Sequence, residues 1–443
     1  MITILAIYLA ALVFLAAYDL LKIKTIPDFF LAKKEAGAAA VTGSLIATIL
    51  GGSAVIGAVD AGPRLGYASS WFMLTGALGL LALVPLSEKV RKLGKYSLPD
   101  IIRALYGNGP FIAASVIIPI AWIGVAAAQI IAASKLLMTF TPLSYAASAV
   151  IVTLVFTGYT IAGGQRSVLK TDFLQAALIL AGLILIAAYA AKAKLPPNGA
   201  IVPSFPFNHN FTPLDLLVLI LTYATTYAVG PDIYSRLFCA KSCKAAKAAL
   251  VASAALLVPV AFMIGYLSAC GAAMTDANGA LITDIAKNTL PPNLIPVVAL
   301  SLLSVVLSSA DTTLLSSSII LCGLMFKKTS LLKARLVILS SGIAALFIAL
   351  IFTDIIATLL LALAVYAGAF IVPVLWGLFG GRSKPRYVTL AIILGGALAL
   401  AGKLSPAASL AGVFISDILL IAAFLVNLLL LMAGRDKTNN VIM

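Results

Sequence analysis

The stretch Ser308-Ser309-Ala310-Asp311-Thr312-Thr313 sets one carboxylate among four hydroxyls inside an otherwise apolar run, 294–325. Ser308, Asp311 and Thr312 stand at i, i+3 and i+4 and share one helix face. Ser309 is turned about 100° away around the axis and can serve a second site. Carboxylate, hydroxyl and carbonyl oxygens together suit a hard cation; no sulfur or imidazole is present to favour a softer metal. A second carboxylate, Asp172, sits in "GGQRSVLKTDFLQ", early in another apolar run. A charged side chain at a bilayer centre costs roughly 2.5–3.5 kcal/mol, so an intramembrane Asp marks a functional site unless a partner explains it. Asp232 lies four residues before Arg236, the spacing of a local ion pair. Asp417 stands alone in a peripheral run and fits a headgroup contact. Ser316, Ser317 and Ser318 fit hydroxyls bonded back to their own helix.

Hydrolytic and redox chemistry find no support. The single His209 lies in a polar loop, and the four cysteines (239, 243, 270 and 322) make neither a Cys–His pair nor a metal-ligand pattern. The chain is therefore expected not to be an enzyme.

These oxygens need a scaffold, and composition says which kind. Of 443 residues, 62% are hydrophobic and only 10% charged, with mean hydropathy +1.13. About thirteen apolar segments recur, near 2–21, 38–61, 69–90, 110–138, 143–162, 168–190, 213–235, 248–272, 294–325, 333–352, 354–379, 386–402 and 410–432. About 20 apolar residues span roughly 30 Å of hydrocarbon as a helix. The expected fold is an all-α polytopic membrane protein; alternating ten-residue strands are absent, which excludes a barrel. The first window lacks a basic leader and a small-residue cleavage site, so it reads as a retained helix.

The net charge of +15 is a topology signal, and nucleic acid is not implied. Alternate loops hold almost all of the Lys and Arg, from Lys22 and Lys24 through Lys89 to Lys95, Arg236 to Lys247, and Lys327 to Arg335. The other loops and the membrane segments hold only Arg64, Lys135, Lys192, Lys194, Lys287 and Lys403. The positive-inside rule then puts the amino terminus outside and the carboxyl terminus in the cytoplasm of a plasma (inner) membrane protein.

The loop 191–212 divides ten central segments into two sets of five, 38–190 and 213–379, which start at opposite faces. An extra helix and inner loop (1–37) precede them, and two peripheral helices with a short tail (380–443) follow. Inverted halves of this kind bind substrate at the midplane where helices are broken. Matching interruptions occur at Gly51-Gly52 in "IATILGGSAVIG" and at Gly230-Pro231 in "TYATTYAVGPDIYSR". A pocket there is expected to be lined by Gly51, Gly52, Ser53, Trp122, Gln129, Tyr223 and Tyr227 and to hold no charged residue. A few polar groups among aromatics suit a small zwitterion or carboxylate.

At this point the residues resemble a known family. "YTIAGGQRSVLKTDFLQ" (159–175) and "LSSADTTLLSSS" (307–318) are similar to the signature segments of the sodium:solute symporters. Members of that family carry proline, pantothenate, sialic acid, sugars or monocarboxylates. "PDIYSRLFCAKSCKAAKAAL" resembles the family's QR-x-x-x-A-K-S linker, with Ser235 in place of the usual Gln. "KLGKYSLPDIIRALYG" and "IPDFFLAKKEAG" fit its two early inner loops, and the likeness runs from about residue 25 to 385. The resemblance implies a LeuT-like five-plus-five inverted-repeat core with one extra helix before and two after. It also implies a sodium-coupled symporter that imports a small organic solute by alternating access, acting as a monomer. One sodium site would match Ala47, Leu50, Val305, Ser308 and Ser309; a second would match Asp172, Ser308, Asp311 and Thr312. Sodium in the second site would compensate Asp311. Proton coupling by the same carboxylates is the alternative, and a solute-sensing membrane protein a more distant one.

Overall fold

The computed structural model describes residues 2–196, 202–273, 280–405, 409–410 and 413–435. Nearly all of them are helical, apart from a two-residue ladder pairing Ser409–Leu410 with Val413–Phe414. Ten helices are long and apolar enough to cross a membrane, eleven with one bent pair. A 48-residue helix, Tyr145–Lys192, is two passes joined at Gly164, whose φ of 51° is open to glycine and strained for other residues. A Cβ there would stand 2.6 Å from the Phe29 ring, so the turn also needs the missing side chain. Counting both parts of that helix and the amino-terminal helix, the described residues hold thirteen apolar helical segments.

They are labelled in order. Helix α1 is Ile2–Leu20, and α2 is the bent pair Ala38–Ile49 with Ala54–Asp60. Then follow α3 (Gly62–Leu93), α4 (Asn108–Phe140), α5 (145–163) and α6 (165–192). Next come α7 (Pro213–Cys239), α8 (Cys243–Ala272), α9 (Ile295–Met325) and α10 (Leu331–Ile351). The last are α11 (Ile355–Leu378), α12 (Pro385–Leu404) and α13 (Ile415–Ala433).

Helix starts follow from capping. Ser144, Ser242, Ser330 and Asp354 each accept a backbone N–H three residues on, and Thr212 with Asp215 forms a capping box. Burial then ranks the helices. In α9, 83% of the apolar window is enclosed by protein, against 22% in α13. Helix α9 is thus the centre of the bundle and α13 its lipid-facing edge. A central helix can carry hydroxyls and a carboxylate because its neighbours, not lipid, surround them.

Connections sort the loops onto two faces. On the lysine-rich face, Lys241 N–H donates to Ala36 O (2.8 Å), Lys89 Nζ to Leu378 O (2.8 Å), and Lys384 N–H to Gly434 O (2.9 Å). On the opposite face, Tyr67 N–H donates to Pro203 O (3.1 Å), Trp71 Nε1 to Pro206 O (3.0 Å) and Tyr266 OH to Leu195 O (2.7 Å). The alternation expected from charge is the alternation in space.

Helix α1 is not a loose appendage. Buried Asp19 bonds Lys170 Nζ at 2.6 Å, and Tyr8 OH lies 2.7 Å from Ser304 Oγ. These bonds pin α1 to both α6 and α9.

Candidate functional site

Helix α2 stops at Leu50 (φ −78°, ψ 52°), about three turns into the bundle, and resumes after Gly51-Gly52. The last carbonyls of a stopped helix have no intrahelical partner. Here two serines of α9 supply them. Ser308 Oγ donates to Ala47 O at 2.8 Å and lies 3.3 Å from Val305 O. Ser309 Oγ donates to Thr48 O at 3.1 Å. Gly51 permits this approach, since a Cβ on it would fall 2.4 Å from Ser309 Oγ. Ala47, Val305, Ser308 and Ser309 therefore meet at the break, with Leu50 buried beside them. The structure brings together the residues expected for one cation site.

The break in α7 is satisfied differently. Gly230 is extended (φ −64°, ψ 131°) and Pro231 opens the second half-helix. Tyr366 OH caps Val229 O at 2.6 Å, and Tyr234 OH caps Ala228 O at 3.0 Å. Rigid phenols, not rotatable serines, hold those carbonyls.

The two carboxylates lie in one fully buried network. Arg236 crosses from α7 and pairs with Asp172, Nη2 to Oδ2 at 3.1 Å. Its Nε donates to Ser44 Oγ (3.0 Å), its Nη1 to Ser235 Oγ (3.1 Å), and its Nη2 also to Thr312 Oγ1. Ser44 Oγ in turn donates to Asp172 Oδ2 at 2.5 Å. Asp311 accepts from Tyr159 OH and from Thr312 Oγ1 (3.1 Å). The expected local pair between Asp232 and Arg236 is corrected: Arg236 touches only the backbone oxygen of Asp232, at 3.4 Å. The guanidinium has stronger acceptors across the bundle than along its own helix. Asp172, Asp311 and Thr312 are thus close together, but Arg236 stands among them. Two carboxylates share one cationic side chain, and Asp311 has no cation within 4 Å among the described residues.

Ser317 and Ser318 bond the carbonyls of Thr313 and Leu314 in their own helix, at 2.8 and 2.7 Å.

A cavity lies between the two breaks. Gly51, Trp122, Gln129, Tyr223 and Tyr227 line it, as expected. Gly52 is not among the residues lining it; its N–H donates to Gln129 Oε1 at 3.1 Å. The side chain of Ser53 lies outside the described residues. Thr48, Thr226, Ser309, Thr313 and Asp232 also line the wall. Asp232 overturns the expectation of an uncharged pocket. Its place just after the Gly-Pro interruption was the available signal, since a half-helix start projects into the space the break opens. The cavity gives about 60 Å³ to the centres of water-sized spheres, room for on the order of five water molecules. That suits a small solute.

Along the same helices, toward the face opposite the lysine-rich one, lies a cavity of about 610 Å³. Asp60, Lys135, Asp284 and Lys287 line it.

A family model for the sodium:solute symporter family matches residues 29–395. The chain belongs to that family. Family and fold are those of multi-pass membrane transporters. Among curated relatives, an uncharacterised symporter of Bacillus subtilis (strain 168), YwcA, is 26% identical over 228 residues, which cover 48% of this chain and 44% of that one. The matched segment is therefore less than half of the relative's length. Among solved structures, a Na+-coupled sialic acid symporter superposes with a TM-score of 0.81 at 19% identity, covering 99% of this chain and 98% of the other. A nucleobase-cation-symport-1 family transporter, MHP1, gives 0.59 at 15% identity, covering 92% and 93%. A manganese transporter of Eremococcus coleocola gives 0.57 at 14% identity, covering 90% and 94%. At these identities the likeness is one of fold, the LeuT-like inverted-repeat architecture.

Proposed function

We propose that the chain is a sodium-coupled secondary active symporter importing a small organic solute, an amino acid such as proline or a monocarboxylate, by alternating access. One observation carries the reading: Ala47 O, Val305 O and the Ser308 hydroxyl converge where α2 is broken. Unwound carbonyls beside hydroxyls at a bilayer midplane are the oxygens a sodium ion needs in place of its water. Leu50 and Ser309 complete the proposed set. Membership of the family supports it, as does the Na+ coupling named for the sialic acid symporter.

A second cation belongs at Asp172, Ser308, Asp311 and Thr312 in this reading. Arg236 already neutralises Asp172, which leaves Asp311 as the carboxylate that needs a charge beside it. The same observation favours a second reading, in which a proton rides on Asp311, because a hydrogen-bonded carboxylate can take either ion. The remaining parts of the proposal are repeats at 38–190 and 213–379, an amino terminus outside, a carboxyl terminus in the cytoplasm, and a monomer in the plasma membrane.

The test is uptake into proteoliposomes over a panel of amino acids, monocarboxylates and vitamins, with and without an inward sodium gradient. Gradient-dependent accumulation of one panel member is expected. Accumulation indifferent to sodium, or driven equally by potassium, overturns the proposal.

A further inference from the structure

The pocket wall carries one carboxylate and two unpaired hydrogen-bond donors. Asp232 presents a carboxylate to the cavity, and no Lys, Arg or His stands within 4 Å of it among the described residues, because Arg236 is spent on Asp172. Backbone N–H groups at the start of the half-helix Pro231–Cys239 hold this carboxylate, and a ligand cation would supply the full charge that they do not. The same wall holds two donors without a hydrogen-bond partner among the described residues: the Trp122 indole N–H and the Thr48 hydroxyl, on residues 2% and 9% exposed. Both line the same cavity. The backbone N–H of Gly52 is not spare, since Gln129 Oε1 accepts from it.

Resting on the symport reading, we propose that the solute carries a positively charged nitrogen, received by Asp232, and an acceptor group such as a carboxylate, received by Trp122 Nε1 and Thr48 Oγ1. The substrate class is a small zwitterion of the amino-acid type, and monocarboxylates are excluded. Three further observations agree. Two aromatic rings line the wall, a surface that can receive a cation; Tyr223 and Tyr227 stand 6.3 Å apart between ring centroids. Asp232, Trp122 and Thr48 all line this one small cavity. The larger cavity beyond it is lined by two carboxylates and two ammonium groups, a balanced lining that suits a dipolar solute better than an ion of one sign.

The division of labour is specific. A monocarboxylate would satisfy the donors but add a second anion to a cavity that already holds the Asp232 carboxylate. A simple cation would satisfy Asp232 and leave the donors unpaired. Only a solute with both charges pairs every group.

The experiment measures binding to the full-length protein in nanodiscs with sodium present, using L-proline, glycine betaine, choline and propionate as probes. The expected order places proline or betaine first, choline weaker, and propionate without binding. Asp232→Asn is expected to weaken the zwitterion and choline about 10- to 100-fold, the worth of a hydrogen-bonded charge. Trp122→Phe keeps the ring against Tyr366 but loses the N–H. It is expected to weaken proline and betaine and leave choline unchanged, a split that a folding defect cannot produce. Sodium alone should stabilise all three proteins equally; loss of that effect in the parent would count against the sodium reading, while the zwitterion preference could still stand. Propionate binding as tightly as proline, no probe binding, or undiminished affinity in both variants overturns the proposal.

Discussion

Arg236 and Asp172 form an ion pair, 3.1 Å from Nη2 to Oδ2, with both side chains wholly buried. They come from the second half-helix of α7 and from α6, 64 residues apart in the chain. All three guanidinium nitrogens are engaged, by Ser44, Ser235, Thr312 and Asp172 together. Such a fork cannot be imitated by an ammonium.

Arg236→Lys and Asp172→Asn should therefore each destabilise the protein, Asp172→Asn by about 3–5 kcal/mol because it strands a buried charge. The double variant Asp172→Asn with Arg236→Gln should cost less than the sum of its parts. Thermal unfolding of the parent, Asp172→Asn, Arg236→Gln and the double variant in one detergent gives the cycle. Strict additivity would mean that the two groups do not interact.

Sodium should raise the melting temperature without solute, as any ligand of the folded state does by mass action, and potassium at equal ionic strength should do so much less. Ser308→Ala and Ser309→Ala should raise the sodium concentration needed for half the effect. Ser317→Ala should not, since Ser317 is occupied by Thr313 O. Wild-type half-saturation in all three would remove α9 from the ion site.

Gly51→Ala should behave like a serine variant although it deletes nothing. Its new Cβ would collide with Ser309 Oγ at 2.4 Å and push the hydroxyl from Thr48 O. Expression near the parent level with weakened sodium dependence is the expected pair of results. Unchanged sodium dependence would show that the break tolerates the methyl group.

Asp311→Asn should remove one charge moved per solute while leaving the neutral-oxygen site at Ala47, Val305 and Ser308 responsive to sodium. Reversal potentials in proteoliposomes, for parent and variant, measure the stoichiometry. If the parent loses charge coupling with pH instead of with sodium, the ion on Asp311 is a proton. Identical stoichiometry in parent and variant would assign Asp311 to structure alone.

Much of this architecture was legible because membrane helices obey short rules. Hydropathy alone marks the thirteen segments, and the alternating Lys and Arg mark their faces. The Ser308 and Ser309 cluster was legible for a similar reason, since a helical face follows from spacing. Arg236 was not. The i,i+4 rule offered it Asp232, but its reach of several ångströms let it choose among acceptors on α2, α6 and α9, which spacing cannot rank. Asp232 was misjudged as a result: once assigned a partner it dropped out of the pocket. Tyr159, which donates to Asp311 across 152 residues, carried no local signal at all.

The unlike capping of the two helix breaks has a thermodynamic consequence. Serine hydroxyls at Ala47 O and Thr48 O can rotate away and let an ion take the carbonyls, whereas Tyr366 and Tyr234 hold Val229 O and Ala228 O with phenols fixed in a packed core. The salt composition of the surrounding medium then acts as a control variable for one joint of the protein and is invisible to the other. Amide exchange should register this directly: sodium should slow exchange at residues 48–52 and leave 229–234 unaltered. Slowing at both places would mean that the joints answer the ion as a single unit.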